Sequence, residues 1–385
     1  MSVLLAEAEK DFIKRGFSRR GFNRAMTLLA AGSSLPFYNE AALAQRGAGM
    51  GRAPMSPDAV KINSNENPMG PCKEACEAMA ATLPHGGRYG SGDVAAATQL
   101  LADIEGLKPG YIQMFVGSSD PLHRFVMASV SKDHPLVVGD PGYEAPARAA
   151  QYMGADTIYV PLTKGSMIHD VKAMAAAHKS PGLLYVCNPN NPTGTCNSKE
   201  DIEWLVANKP AGSVLLLDEA YIHLSKATPG SYLVAQDKDV IILRTFSKLY
   251  GMAGIRAGAA FARPDLMKRV AMYGTGFMPI TSMAAVTASL QVKDLVTVRR
   301  KIIADIREET FSFLAKNNIE FLPSDANMFM MNVKRPGREF AAAMANHNVY
   351  IGRTWGAMPN WVRVTVGTSQ EMAKFRDVCL TCYNA

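Results

Sequence analysis

Short apolar runs alternate with amphipathic stretches along most of the chain. Runs rich in β-branched and other apolar residues, at Ile112–Val116, Leu136–Val138, Thr157–Pro161, Leu183–Val186, Val214–Leu217 and Val240–Leu243, predict strands, buried at Val214–Leu217 and Val240–Leu243. Helical periodicity covers residues 72–82, Val94–Gly106, Ala145–Met153 and Asp170–Ala177. Beyond Arg256 the pattern turns mainly helical. A long, strongly charged amphipathic segment from about Ala284 to Lys316 predicts one helix joining two domains. An α+β tail follows, with strands expected near Glu320–Leu322, Met328–Val333, Val349–Gly352 and Trp361–Thr365.

Chemistry-bearing residues gather just after the apolar runs. After Val240–Leu243 comes Thr245-Phe-Ser-Lys-Leu-Tyr-Gly-Met-Ala-Gly-Ile-Arg256. Lys248 stands there among small and apolar neighbours. It can be a surface lysine after a strand, or a nucleophilic amine whose reactivity needs partial desolvation. Thr245, Ser247 and Arg256 form a set suited to a phosphate ester. Gly117-Ser118-Ser119-Asp120-Pro121 is a strand-to-helix turn, with proline in the first helical turn where its missing N–H does no harm. Such a turn can cradle phosphate. Tyr143 follows Leu136–Val138 and can be a turn residue or stack on a flat heterocycle. Asn188-Pro-Asn-Asn-Pro-Thr-Gly194 is a turn by composition. Asp218-Glu-Ala-Tyr221 closes another run, and Arg363 lies inside the β-run Trp361–Thr365, where an arginine calls for an anionic partner.

The order of these motifs resembles the pyridoxal-phosphate aminotransferases of class I/II, in particular their histidinol-phosphate aminotransferase-like branch. The matching segments are T-x-S-K followed by G-x-A-G-x-R-x-G, then N-P-T-G, D-x-x-Y and a late R-x-x-x-G-T, and they span roughly residues 61–368. The resemblance implies an α/β, aspartate-aminotransferase-like fold (fold type I). A mixed, mostly parallel sheet covered by helices would form a large domain at 90–290. Residues 45–89 and 291–385 would form an arm and a smaller α+β domain.

The resemblance also implies site roles. Lys248 would carry pyridoxal 5'-phosphate as an aldimine and act as the catalytic base. Ser118, Ser119, Thr245, Ser247 and Arg256 would hold the phosphate, and Tyr143 would stack on the ring. Asn191 and Tyr221 would bond the phenolic oxygen. Asp218 would face the ring nitrogen, because the cofactor works as an electron sink only while that nitrogen stays protonated. Tyr89, in an R-Y segment, would reach the phosphate of a neighbouring subunit and so require a homodimer. Gly90 stands where the family has proline. Arg363 would bind the substrate α-carboxylate, and Arg353 a second anionic group. Asn67, with Asn65, would line the substrate mouth, and Asn327 would have a structural role. The implied reaction moves an amino group between an L-amino acid and a 2-oxo acid. A decarboxylase, lyase, racemase or oxidase using the same residues is the alternative.

Composition adds limits. The 385 residues, 48% hydrophobic, support a sizeable core in one or two domains. No apolar run is long enough to span a membrane. The net charge of +7 is dispersed, without the basic blocks of a nucleic-acid binder. At the N-terminus, Ser18-Arg-Arg-Gly-Phe-Asn-Arg24 precedes a mildly apolar run and the small-x-small site Ala42-Leu-Ala44. This resembles a twin-arginine (Tat) export signal over residues 1–44, which predicts a periplasmic enzyme exported folded by the twin-arginine machinery. Six cysteines include Cys72-x3-Cys76 and Cys379-x2-Cys382, at helical spacing. They are read as buried or idle thiols rather than a zinc site, and no metal is expected.

Two other classes fit the sequence less well. A non-catalytic amino-acid or cofactor binder would not need Lys248, Asp218 and Arg363 together. Gly86-Gly-Arg-Tyr-Gly-Ser-Gly92 suggests a nucleotide loop but lacks the Gly-Lys-Ser/Thr ending of one.

Overall fold

The computed structural model describes residues 9, 10, 13, 14, 19 and 56–384, apart from 272, 274 and 275. Arg20, Phe22 and Ala42–Ala44, which carry the export-signal reading, lie outside the described residues.

Strand β1 (Val60–Ile62) opens the described chain. The central sheet is built from β2 (Ile112–Phe115), β3 (Leu136–Asp140), β4 (Thr157–Pro161), β5 (Leu183–Cys187), β6 (Val214–Asp218), β7 (Val240–Thr245) and β8 (Gly258–Phe261). Its order is β2-β8-β7-β6-β5-β3-β4. β7, β6, β5, β3 and β4 pair in parallel, while β8 runs antiparallel to both β7 and β2. Every residue of β5, β6 and β7 is buried. That explains their unbroken apolar runs: helices cover both faces, so no alternation with polar residues is needed.

The helices in chain order are α1 (Lys73–Thr82), α2 (Ser91–Glu105), α3 (Ser119–Ser129), α4 (Ala145–Met153), α5 (Val171–Ala176), α6 (Lys199–Asn208), α7 (Ser231–Ala235), α8 (Pro264–Ala271), α9 (Ile280–Gln291), α10 (Leu295–Lys316), α11 (Gly337–Asn346) and α12 (Ser369–Asn384). α6 begins with a capping box. The Ser198 side chain accepts from the Asp201 N–H, and Asp201 Oδ2 accepts from the Ser198 N–H.

The C-terminal strands form two small sheets. β9 (Met328–Asn332) pairs antiparallel with β11 (Trp361–Thr365), and β10 (Val349–Ile351) pairs parallel with β1. The register sets Ile62 opposite Ile351 and Arg363 opposite Met330. The two ends of the chain are thus joined in one unit, which bears on the substrate side of the site.

Two expectations change. The segment from Ala284 to Lys316 is not one helix. α9 ends at Gln291, Val292 is extended, and α10 starts after Asp294. The physical reason lies in two different environments. α9 is rich in small and apolar residues and packs on α1 and α2, whereas α10 carries the charged face. The strand expected at Glu320–Leu322 is reduced to a single bridge between Phe321 and Met331. Pro323 follows at once and has no N–H to extend a ladder.

Candidate active site

β2, β3, β5, β6 and β7 share one direction, so their carboxyl ends lie along one edge of the sheet, where open α/β sheets bind ligands. A cavity of about 320 Å³ opens there. Ser118 and Ser119 reach it from the turn after β2, Tyr143 from the turn after β3, and Asn191 from the turn after β5. Asp218 and Tyr221 come from the end of β6, and Thr245, Ser247, Lys248 and Arg256 from the segment after β7.

Lys248 is buried, and its Nζ donates to the Asn65 carbonyl at 2.9 Å. It also lies 5.5 Å from the centre of the Tyr221 ring. The Tyr221 hydroxyl accepts from Asn65 Nδ2 at 2.9 Å and from Asn191 Nδ2 at 3.4 Å. An amine, a phenol and two amides therefore meet in one polar corner of the cavity.

Asp218 stands apart from that corner. Burial raises its carboxyl from 3.8 to about 6, opposed by hydrogen bonds from the Tyr185 hydroxyl and the Ala220 N–H and by the charge of Lys248. Tyr185 donates to Asp218 Oδ2 at 2.8 Å and Ala220 N–H to Oδ1 at 3.1 Å. Neighbouring Cys187 lines the cavity, and burial pushes its thiol well above its usual range.

The opposite end suits a phosphate. Thr245 Oγ1 donates to Ser247 Oγ at 3.0 Å and accepts from the Ser247 N–H at 3.1 Å. α3 begins at Ser119, so its opening N–H groups face this end. Arg256 has a left-handed backbone (φ 67°), and its guanidinium donates to the Ala253 carbonyl at 3.0 Å and to the Val116 carbonyl at 3.4 Å. Gly117 makes room for it: a Cβ at Gly117 would come within 2.2 Å of the Arg256 guanidinium. Burial lowers the pKa of that guanidinium, a cost that an anionic ligand would offset.

The substrate residues expected from the sequence are placed less uniformly. Arg363 is fully buried, with Nη1 donating to Asn191 Oδ1 at 2.9 Å and Nη2 to the Asn63 carbonyl at 2.7 Å. Arg353 Nη1 donates to both carboxylate oxygens of Glu144, at 2.8 and 2.9 Å. Asn67 does not line the cavity. It clamps backbone instead, donating to the Leu249 carbonyl at 2.8 Å and accepting from the Met69 N–H at 3.1 Å. Asn65, not Asn67, is the residue that meets the lysine. Tyr89 is 83% exposed and stacks on Phe277 at 4.8 Å, away from its own chain's cavity. Asn327 donates to the carbonyls of Asn65 and Glu66, at 3.3 and 3.2 Å, and so fixes the turn that holds Lys248.

Sequence reading missed four polar lining or supporting groups: Ser64, Glu66, Tyr185 and Cys187. Tyr185 left a signal, because a phenol inside a fully buried strand needs a partner for its hydroxyl. Glu219, next to Asp218, is 1% exposed and accepts from Arg244 Nε and the Gly230 N–H, each at 2.6 Å. Arg244 is paired on its other side with Glu105 at 2.7 Å. This buried triad anchors the turn that carries Asp218.

Fold and site together define a lysine-centred enzyme whose cavity holds both an anion cradle and a buried carboxylate. The comparisons with known proteins give the family. Residues 57–378 match Aminotransferase class I and II. Histidinol-phosphate aminotransferase 1 of Nitrosococcus oceani is 34% identical over 330 residues, 84% of this chain and 88% of that protein. The aromatic amino acid aminotransferase of Cutibacterium acnes is 30% identical over 320 residues, 82% of this chain and 90% of that protein. Among solved structures, histidinol-phosphate aminotransferase of Sinorhizobium meliloti, in complex with pyridoxal-5'-phosphate, superposes with a TM-score of 0.79 at 23% identity, over 92% of this chain and 96% of that one. Aspartate aminotransferase of Thermus thermophilus with maleate gives 0.77 at 18% identity, over 92% and 98%. The chain belongs to the class I and II aminotransferases, and it is a pyridoxal-phosphate-dependent aminotransferase of the aspartate-aminotransferase fold.

The residues present fit that cofactor. The hydroxyls of Thr245 and Ser247 and the Arg256 guanidinium, with the Gly117 clearance, suit its phosphate. Asp218, buried and acidic, suits its ring nitrogen, and the Lys248 amine suits its aldehyde.

Proposed function

We propose that this enzyme transfers the amino group of an L-amino acid to a 2-oxo acid, with Lys248 as its catalytic residue. The observation that carries the reading is the convergence of Lys248, Asp218 and Asn191 on one cavity, with the buried Arg363 bonded to Asn191 behind the lining. When bound, pyridoxal phosphate supplies the electron sink that lets the substrate Cα–H bond break. Lys248 Nζ takes the proton from the substrate α-carbon and redelivers it. Its link to the Asn65 carbonyl holds the amine in place while it is not engaged. Asp218 would keep the ring-nitrogen proton in place, and Tyr185 holds Asp218 through Oδ2. Tyr143 would cover the ring, while Asn191 and Tyr221 would donate to the phenolic oxygen. Ser118, Ser119, Thr245, Ser247 and Arg256 would hold the phosphate. Arg363 receives the substrate α-carboxylate in a two-point pair and orients the Cα–H bond.

The same residues could serve a decarboxylase, lyase, racemase or oxidase. Feeding amino acids singly and assaying 2-oxo acid together with the aminated cofactor separates these. Both products in equal amounts support transamination. Carbon dioxide, ammonia, peroxide or an inverted amino acid without the aminated cofactor would replace that reading.

Three further parts belong to the proposal. The division of the chain at 45–89, 90–290 and 291–385 follows the sheets, with the two outer segments sharing a unit. A homodimer is supported by the exposed pair Tyr89 and Phe277, two large aromatic rings offered to a partner. Sedimentation at graded concentrations checks it, and a monomer throughout would remove Tyr89 from the site. Export rests on Arg19-Arg20 and Ala42–Ala44. Replacing both arginines by lysine should keep the protein in the cytoplasm, whereas unchanged export would contradict the signal.

A further inference from the structure

We propose that Glu144 sets the substrate class by acting as a built-in counter-ion to Arg353. The site then favours amino acids with uncharged side chains over those with a second anionic group. This rests on the transaminase reading above.

The position of the pair supports the inference. Arg353 lies next to Arg363 across a backbone pairing: the Arg363 N–H donates to the Arg353 carbonyl at 3.2 Å, and the Gly352 N–H donates to the Arg363 carbonyl at 2.8 Å. Both guanidiniums lie against one indole, 4.9 and 5.5 Å from the centre of the Trp355 ring. Trp355 Nε1 donates to the Gly142 carbonyl at 3.0 Å. Gly142 and Glu144 flank Tyr143, which lines the cavity. A substrate held by its α-carboxylate at Arg363 therefore has Arg353, Trp355 and Glu144 beside it.

The charges decide what its side chain can be. Arg353 is 8% exposed, and both oxygens of Glu144 already face one of its nitrogens. A second carboxylate or a phosphate must displace Glu144 and then sit beside a displaced like charge. An uncharged side chain leaves the ion pair intact. It lies toward Trp355, whose indole packs with the buried Met330 and Met358. Glu144 is 29% exposed, so its own desolvation in the pair is incomplete and the pair can form without a large penalty.

The test uses the cofactor-loaded enzyme and two unreactive acids, 3-phenylpropanoate with one carboxylate and glutarate with two. Dissociation constants are read from the shift each acid causes in the bound cofactor's visible absorption. Wild type should bind 3-phenylpropanoate at least about tenfold more tightly than glutarate. In Glu144→Gln, which keeps the shape and removes the charge, that ratio should fall at least about tenfold toward glutarate. Glu144→Ala should move it the same way. In the double variant Glu144→Gln/Arg353→Ala the gain for glutarate should vanish, because it depends on the released Arg353. A ratio within twofold of wild type in both single variants, or a gain that survives loss of Arg353, would overturn the counter-ion role. Should neither acid perturb the cofactor and no amino acid yield a 2-oxo acid, the transaminase reading fails and the gate falls with it.

Discussion

The residues proposed to hold the cofactor and those proposed to meet the substrate are assembled from different kinds of parts. Asp218, Asn191, Ser119 and Lys248 stand within a few residues of the ends of β6, β5, β2 and β7, on one hydrogen-bonded sheet. Arg363, Arg353 and Asn65 come from segments near the two ends of the chain. Asn65 meets Thr365 across 300 residues, its N–H donating to the hydroxyl at 2.9 Å and its Oδ1 accepting from it at 3.0 Å. The first side is anchored at the ends of paired strands, and the buried Glu105–Arg244–Glu219 triad braces the Asp218 turn. The second is held by side-chain bonds between separate segments, such as Arg363 to Asn191 and Arg353 to Glu144. A scaffold of this kind keeps the chemistry constant while the substrate end can be retuned by single residues.

The largest effect is expected at Lys248. Lys248→Ala should lower kcat by about 10⁴-fold or more, since the proton carrier and the covalent anchor are lost together. Stopped or steady-state assays check it, and activity within tenfold of wild type would remove the cofactor side from the account. Glu219→Ala should act on stability instead, lowering it by about 3–5 kcal/mol, because Arg244 keeps its charge in a buried place with one partner gone. Denaturant unfolding measures this, and a loss below about 1 kcal/mol would mean the triad does not anchor the Asp218 turn.

Arg363→Ala should cost about 2–5 kcal/mol in kcat/KM for amino acids, through the lost carboxylate pair, while the bound cofactor keeps its visible spectrum. A spectrum altered as strongly as the kinetics would show that the two sides are not separable. The smallest effect is expected at Tyr185. Burial raises Asp218 to about 6, and only its ionised form can face a protonated ring nitrogen. Cofactor affinity should therefore weaken as pH falls below about 6 and hold above it. Tyr185→Phe removes a hydrogen bond that favours the ionised carboxylate, so the decline should begin up to about one pH unit higher, as expected for a bond of about 1 kcal/mol. Asp218→Asn should flatten the profile. The cofactor-free protein should show the opposite stability trend. The raised carboxyl favours folding fully below pH 3.8, and that contribution is lost as pH rises through about 6.

The same contrast explains what could be read from the chain itself. The cofactor side was legible because each of its residues follows an apolar run within a local motif, and the strands duly place Tyr143, Asn191, Asp218 and Lys248 in one cavity. Tyr185 went unnoticed, since its partner lies on the adjacent strand and strand order is not a local property. Asn67 was expected at the substrate mouth, yet Asn65 takes the central place, because a left-handed backbone at Asn65 (φ 53°) turns its carbonyl to the lysine. Arg353 and Glu144 are 209 residues apart, and nothing local in either segment announces their pairing. The break between α9 and α10 was hidden for a related reason: both flanks are helical, and Val292–Asp294 carries no glycine or proline to mark the turn.

A spectral titration of the cofactor-loaded protein decides whether amino transfer runs through Lys248. Single amino acids are added in turn while the visible absorption is recorded and 2-oxo acid is assayed. The account predicts that the lysine-bound cofactor absorption decays to that of the aminated cofactor with one equivalent of 2-oxo acid released, that a 2-oxo acid restores it, and that Lys248→Ala shows neither change. A protein that takes up no cofactor, or one whose absorption persists while no 2-oxo acid forms with any amino acid, would contradict it.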